Sequence, residues 1–257
     1  MSPFRVWLLR LPFVANRPIQ FPPAFAANVF RGALGTSLPR KLFAPPPSSD
    51  APSGLAEPPR PFVLRARHLD GLTLAGGDTF LLQLNLFAPF AESIVEAFGE
   101  AKPFYGAVRL TGAPSETELI LSLAPYEEAC SARVLFLTPT ELKHEDALAS
   151  VPHFPILFAR AVSRLRMLAA LYGEPIDLDF ERLAEQARRI ELLQHSLTHE
   201  FAERVSTRTG QTHPLGGFTG HADYQGDLRD LMPILRAAQY TGVGRQTVWG
   251  KGEIQVE

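Results

Sequence analysis

The sequence predicts an α+β protein made of two similar units, each running strand, helix, strand, strand, helix, strand. Short apolar runs bounded by glycine and proline alternate with helical stripes, whose apolar residues are spaced by three and four. At 257 residues the chain can bury a sizeable core as two domains of ordinary size. A composition that is 46% hydrophobic and 20% charged is typical of a globular chain in water.

The first unit is predicted over residues 1–114. A strand over 4–14 opens it, and a helix over 24–38 ends before Pro39. Residues 44–61 contain seven of the chain's 23 prolines, which predicts an exposed loop. The remaining elements are a strand, a strand, a helix and a strand, at 62–67, 79–87, 89–98 and 106–111. This order is that of a ferredoxin-like domain.

The second unit is predicted over residues 115–257. A strand pair at 118–123 and 132–137 leads into it, and two helices at 155–172 and 179–190 follow, the second capped by Asp179. The chain then returns to the sheet over 192–205. Its last part is expected to hold a strand at 217–224, a helix capped by Asp227 and a final strand at 248–256. We therefore expect tandem ferredoxin-like, or RRM-like, domains.

The charge of the chain is unevenly distributed. Residues 1–67 carry nine Lys and Arg against two Asp and Glu, a charge of +7 that leaves −9 for the rest of the net −2. A basic segment of this kind is typical of a protein that binds a phosphate backbone. A solvated basic face of a half-domain would look the same, so both interpretations stay open.

Cysteine usage and hydropathy indicate a cytoplasmic setting. Cys130 is the one cysteine, which excludes an intramolecular disulfide framework and a cysteine zinc cluster. No apolar run reaches the roughly eighteen residues that a membrane span needs. The apolar N-terminus is interrupted by Arg5 and Arg10, which favours a core strand over a signal peptide.

A glycine-rich basic loop over 241–252 links the last helix to the last strand. Gly242 and Gly244 would let the backbone approach a ligand closely, and exposed N–H groups there would suit phosphate. The order helix, loop, strand is the reverse of a dinucleotide fingerprint, and there is no GxxxxGK[ST]. We therefore expect no nucleotide cofactor. A tight turn alone would also explain both glycines.

Several segments carry a family resemblance in the same chain order. They are VFRGALG (29–35), PRPFVLR (59–65), LFLTPTELK (135–143), LYGEPIDLDF (171–180), GGFTG (216–220), DYQGDL (223–228) and GVGRQTVWGKGEI (242–254). Together they resemble the CRISPR precursor-RNA-processing endoribonucleases of the RAMP superfamily. The resemblance implies ferredoxin-like domains with a C-terminal glycine-rich loop. It also implies metal-independent cleavage of CRISPR repeat RNA at the base of a hairpin, with retention of the product.

The resemblance also implies partners and RNA-binding residues. CRISPR repeat RNA is the expected partner, other CRISPR effector subunits are candidates, and no membrane is expected. The predicted RNA-binding residues are Arg17, Arg208, Gly242, Gly244, Arg245, Gln246, Thr247 and Lys251. Trp249 beside the loop could stack a base or serve as a core aromatic.

Catalysis is where the sequence departs from the family. Relatives often place a histidine on or near the first helix, with help from tyrosine or lysine, whereas this chain has no histidine before His68 and no tyrosine before Tyr105. We predict a cationic catalytic site instead. Its residues are Arg31, Arg40, Lys41 and Arg245. Either these cations stabilise the transition state, or the protein binds the repeat without cutting it. His221 and His213 are alternative bases.

No cofactor or metal is expected. Many relatives carry clustered cysteines in the interval that corresponds to 44–61, and this chain has none. His195 and His199 would suit a metal if they were helical, but they fall in a predicted strand without a third ligand.

Overall fold

The computed structural model of the chain describes residues 3–43, 58–200, 203–205, 212–214 and 216–257. Two antiparallel sheets, each with helices packed on it, confirm the predicted α+β fold. Most of the predicted loop at 44–61 lies outside the described residues. Within the described ranges no helix is long and apolar enough to cross a membrane.

The first unit builds its sheet from strands that are distant in sequence. Its elements are β1 (Phe4–Ala15), β2 (Ile19–Gln20), α1 (Ala27–Ser37), α2 (Arg40–Phe43), β3 (Phe62–Arg65), the 3₁₀ helix η1 (Arg67–Leu69), β4 (Thr73–Leu74), β5 (Thr79–Leu86), α3 (Ala91–Glu100), the 3₁₀ helix η2 (Pro103–Gly106), β6 (Val108–Leu110) and β7 (Ser115–Leu121). The sheet order is β3-β5-β1-β6, and β7 also pairs with β1. This is the ferredoxin-like order.

The second unit repeats the arrangement. Its elements are β8 (Ser131–Thr140), β9 (Lys143–His144), β10 (Ala147–Leu148), α4 (Phe154–Tyr172), α5 (Phe180–Ala187), β11 (Glu191–Glu200), β12 (Glu203–Val205), β13 (Thr212–Pro214), β14 (Gly217–Gln225), α6 (Met232–Thr241), the 3₁₀ helix η3 (Thr247–Trp249) and β15 (Ile254–Val256). The sheet order is β11-β14-β8-β15. Asp179 caps α5 as predicted, since its carboxylate accepts from the Arg182 N–H at 2.9 Å.

The first sheet is covered on both faces. Successive side chains of a strand point to opposite faces, so β1 divides between two cores. Leu9, Leu11 and Phe13 pack under α1 and α3, whereas Phe4 and Val6 pack with the buried residues of the second unit. All four residues of β3 are buried for the same reason. The two units therefore share a core along this part of the sheet.

The predicted strand pair at 118–123 and 132–137 is wrong. β7 pairs with β1, in the register Phe4 with Leu121, while β8 lies in the other sheet between β14 and β15. β6 pairs with only the last residues of β1, 13–15, so β7 pairs with the same edge nearer the start of β1. The boundary expected between residues 114 and 115 thus falls before the last strand of the first sheet.

Two features near the C-terminus also differ from the prediction. The final strand covers only 254–256, because Gly250 and Gly252 have φ values of 84° and 67°, which turn the chain out of the extended conformation. Asp227 does not cap α6, which begins at Met232; its carboxylate accepts instead from the Arg229 side chain at 2.8 and 2.9 Å.

Candidate nucleic-acid interface

The C-terminal end of α6, where the glycine-rich loop begins, is held by buried polar side chains. Arg65 Nη2 donates to the carbonyl oxygens of residues 239 and 240 at 2.7 and 3.1 Å, and Asn85 Nδ2 donates to that of residue 240 at 3.0 Å. Arg164 Nε donates to the carbonyl of residue 241 at 2.6 Å. Cations at this end complement the helix dipole. The first unit therefore fixes the direction in which the loop leaves α6.

Burial perturbs the two arginines that hold this helix end. Desolvation, with a smaller contribution from the neighbouring charge of Arg65, lowers the pKa of Arg164 to about 9. Desolvation also lowers the pKa of Arg65, and the charge of Glu253 partly opposes that effect. The carbonyl oxygens of α6 offset the loss of water, because hydrogen bonds to ionised groups are stronger than neutral ones.

The loop crosses the end of β8 and closes on itself. The Val243 N–H donates to the Gly252 carbonyl at 2.9 Å, and the Gly252 N–H donates to the Pro139 carbonyl at 3.1 Å. Val243 is fully buried. The loop is thus a packed structure and not an open set of N–H groups.

The glycines of the loop are required by contacts within the protein. Gly244 has a φ of 76°, and a Cβ there would overlap the carbonyl oxygen of Glu141; a Cβ on Gly252 would overlap that of Val243. A Cβ added at Gly250 would lie 2.7 Å from the Cβ of Ala27 in α1. The prediction that Gly244 is a glycine because RNA approaches it is therefore not the simplest account. The tight packing of the loop already demands glycine.

Glu141, which the sequence analysis did not single out, anchors the loop. Its carboxylate is buried and accepts from Lys251 Nζ at 2.6 Å, while its Oε2 lies 3.4 Å from Nη1 of Arg245. Its carbonyl oxygen accepts from the Arg245 N–H at 3.1 Å. The one signal in the sequence was an acidic residue directly after the apolar strand β8.

Lys251 is not a surface cation. Its side chain is 0% exposed, and Nζ also donates to the Gly216 carbonyl at 2.6 Å, which ties the loop to the GGFTG segment. Burial lowers the pKa of Lys251, and the bond to Glu141 opposes that effect. The sequence analysis predicted that Lys251 contacts RNA, whereas the structure shows its ammonium buried, where it supports the loop. Arg245 keeps a half-exposed side chain and remains a candidate.

Arg31 and the loop do come together. The Arg31 guanidinium lies over the Trp249 ring, 4.8 Å from its centroid, and 5.6 Å from the centroid of Phe43 in α2. Arg60 covers Phe43 at 4.7 Å. The four side chains form a ladder of alternating cations and rings that joins the first unit to the loop. Trp249 also packs against the first unit's core, so a core role accounts for it.

The other catalytic candidates lie at the end of this ladder. Arg40 and Lys41 are exposed on α2, which the Phe43 ring packs against Gly35 of α1. The sequence suggested that both residues simply follow the end of α1. In the structure they belong to the short helix α2.

The remaining predicted residues are placed as follows. Gln246 is half-buried at φ 57°, and Thr247 is buried in η3. Arg17 is exposed beside the turn at Gly76, at the end of β1. Arg208 lies outside the described residues, and so does the side chain of His213.

His195, His199 and His221 lie on strands of the second sheet. His221 pairs with Ser196 and Leu135, in the middle of its strand, and lies well away from the loop end of β8. His195 and His199 lie on β11, a strand as predicted. No group of three or more His, Cys, Asp or Glu that could hold a metal occurs in the described part of the chain.

Comparisons with known proteins agree with this arrangement. Residues 134–254 match the family model described as CRISPR-associated endoribonuclease Cas6. A Cas6 product complex superposes with a TM-score of 0.63 at 21% identity, covering 98% of this chain and 100% of that one. Thermus thermophilus Cas6 gives 0.61 at 17% identity, covering both chains completely. A comparison with curated proteins found no match.

A further Cas6 product complex gives a TM-score of 0.59 at 17% identity, over 98% of this chain and 99% of that one. At these identities the superpositions establish the fold, and the family model adds the pattern of the C-terminal half, glycine-rich loop included. Both findings agree with the resemblance drawn from the sequence: residues 134–254 match the Cas6 family model, and the fold of the chain is similar to that of solved Cas6 structures.

Proposed function

We propose that this chain is a metal-independent endoribonuclease that binds CRISPR repeat RNA, cuts it at the base of a hairpin and retains the product. One observation carries the proposal. The glycine-rich loop of the Cas6-like segment packs against α1, with Arg31 on Trp249 in the same loop as Arg245. Cations from the two units thus border one surface.

The proposed reaction needs no covalent bond to the protein. The ribose 2′-oxygen attacks the adjacent phosphorus as its proton passes to solvent base, the bond from phosphorus to the 5′-oxygen breaks, and that oxygen takes up a proton. The products are a 2′,3′-cyclic phosphate and a 5′-hydroxyl. Negative charge accumulates on the phosphate oxygens, so the protein's task is electrostatic.

Arg31, Arg40, Lys41 and Arg245 supply that charge in our proposal. A guanidinium binds phosphate oxygens through two parallel N–H groups, which an ammonium cannot copy. Since the buried pair of Glu141 and Lys251 is neutral as a unit, the charge of Arg245 is left for the substrate. An arginine with a pKa above about 12 is a poor general base, so we expect a modest rate.

The proposal is tested with an end-labelled transcript of the cognate repeat, incubated with the protein in EDTA and resolved on a denaturing gel. We expect one discrete cut. The 3′ end of its 5′ fragment should resist phosphatase until acid opens the cyclic phosphate. Intact RNA that shifts on a native gel would instead identify a non-catalytic RAMP subunit that binds guide RNA. In either case other CRISPR effector subunits are proposed partners.

A further inference from the structure

The short turn η2 presents an aromatic ring from a strained backbone. Phe104 and Tyr105 both adopt the left-handed conformation, with φ values of 50° and 54°, and Gly106 follows at 81°. Residues other than glycine and asparagine seldom adopt it, and such strain concentrates at functional sites. Packing accounts for Phe104, because its ring lies edge-on against Phe21 at 5.0 Å. It does not account for Tyr105.

Tyr105 is 96% exposed, so the fold draws no burial from its ring. Glycine or asparagine would adopt the same backbone conformation at lower cost and would leave the Phe104 anchor intact. A tyrosine at this position is therefore unfavourable for the isolated protein. Its large exposed ring is useful only to a ligand that covers it.

The surroundings of Tyr105 point to nucleic acid. Asn16 Nδ2 donates to the Gly106 carbonyl at 3.2 Å, and its Oδ1 accepts from Arg109 Nε at 3.0 Å. These bonds place the exposed cation Arg109 beside the turn. Arg17, also exposed, follows Asn16 in the chain, and the exposed Lys102 directly precedes η2.

Two carboxylates, Glu100 and Asp78, lie on the flanking segments, and the Asp78 carboxylate accepts from the Ala75 N–H at 2.7 Å. Cations therefore outnumber carboxylates by three to two. An exposed ring among spaced cations is the usual platform for an unpaired nucleotide. A protein partner would need a broader apolar patch than these polar neighbours provide.

We propose that Tyr105 is a stacking platform for an unpaired nucleotide of single-stranded RNA. η2 and η3 both contact α1, so the platform and the glycine-rich loop border the same helix. Because the inference rests on the proposed function, the strand in question is the RNA that flanks the repeat hairpin. The hairpin itself would bind at the Arg31 and loop surface.

The test compares the parental protein with Tyr105→Asn and Tyr105→Trp by fluorescence anisotropy. The probes are a labelled 12-nucleotide oligouridine, the repeat hairpin alone, and the hairpin with its single-stranded flanks. Tyr105→Asn should weaken binding of oligouridine and of the flanked hairpin by about 5- to 150-fold, since stacking is lost. Binding of the bare hairpin should not change, and Tyr105→Trp should bind as the parental protein does. The Asn variant should melt no lower than the parental protein, because asparagine suits the left-handed backbone.

Tyr126→Asn is the matched control, since Tyr126 is also exposed but lies in the connection between β7 and β8, where its N–H donates to the Arg229 carbonyl; it should bind all three probes normally. Parental affinity of Tyr105→Asn for oligouridine and the flanked hairpin would overturn the platform and leave the nuclease standing. Binding of oligouridine that depends on Tyr105, without any cut in repeat RNA, would overturn the nuclease and leave the platform standing. A parental protein that binds none of the three probes would overturn both proposals.

Discussion

Arg31 is a side chain whose charge is held in place by aromatic rings. A guanidinium between Trp249 and Phe43 loses little freedom when it binds a phosphate, so it is suited to act in the transition state. Arg40 and Lys41 are exposed on α2, so each should contribute less to the transition state than Arg31 does.

This difference predicts that Arg31 variants are the most impaired in single-turnover cleavage. Arg31→Ala should slow cleavage by about 100- to 1000-fold, as removal of one oxyanion donor does, with little loss of affinity, and Arg31→Lys should rescue it only in part. The rate should rise with pH without a maximum near 6.5, because no histidine titrates in the mechanism. His221→Ala serves as the control. If it abolished cutting while Arg31→Ala cut at the parental rate, the arginine mechanism would be wrong.

Glu141 is the second residue whose role is testable by itself. In Glu141→Gln the ammonium of Lys251 would be buried without a counter-charge, and the free energy of unfolding should fall by roughly 3–5 kcal/mol in urea denaturation. Adding Lys251→Met should restore much of that loss, since no buried charge remains. A Glu141→Gln protein as stable as the parental one would show that the pair does not hold the loop.

At the scale of elements, the conformation of the loop between α6 and β15 depends on its glycines. We expect Gly244→Ala to destabilise the protein by at least about 1–2 kcal/mol, from the left-handed conformation alone and with the clash at Glu141 in addition. Gly99→Ala is the matched control, because Gly99 is exposed in α3 and a Cβ there meets nothing within 4 Å. It should stabilise the protein by about 0.5–1 kcal/mol. Equal melting temperatures for the two variants would contradict this account.

Three strands of the second sheet are joined by one carboxylate. Asp223 on β14 accepts from Arg133 on β8 at 2.6 and 2.7 Å and from Gln194 on β11 at 2.6 Å. Hydrogen bonding to Arg133 is the main cause that holds the pKa of Asp223 well below its ordinary value, and the bond from Gln194 adds to it.

Because the folded-state pKa of Asp223 is depressed, its contribution to stability is present above the unfolded value, near 4, and is lost as pH falls through the folded value. Asp223→Asn should therefore be less stable than the parental protein at pH 7. The difference should shrink as denaturation is repeated at progressively more acidic pH. A difference that does not depend on pH would mean that packing, and not ionisation, accounts for the loss.

For the whole molecule, the junction of the two units decides where the site can form. Arg65 belongs to the first sheet, yet it bonds to the end of α6 in the second unit. Arg65→Ala should lower the free energy of unfolding by roughly 1.5–3 kcal/mol, the value of hydrogen bonds to a charged group. It should also weaken RNA binding, because the loop begins at this helix end.

Arg5→Ala is the control, since its ion pair with Glu118 is half-exposed and lies within the first sheet. It should change neither the stability by more than about 1 kcal/mol nor the affinity for RNA. If both variants behaved alike, the buried contacts of Arg65 would not couple the units.

The order of elements and the ferredoxin-like repeat were determined by the sequence itself, because helical and strand periodicities are local patterns. The cap at Asp179 and the glycine-rich loop were predictable for the same reason, and the departure from the family's histidine could be seen without a structure. Only the tertiary structure decided that β7 joins the first sheet, that Glu141 anchors the loop and that Lys251 is buried. Glu141 and Lys251 are 110 residues apart in sequence, and whether a lysine meets water or a carboxylate depends on such distant partners. Burial is a property of the packed chain, so a local pattern cannot report it.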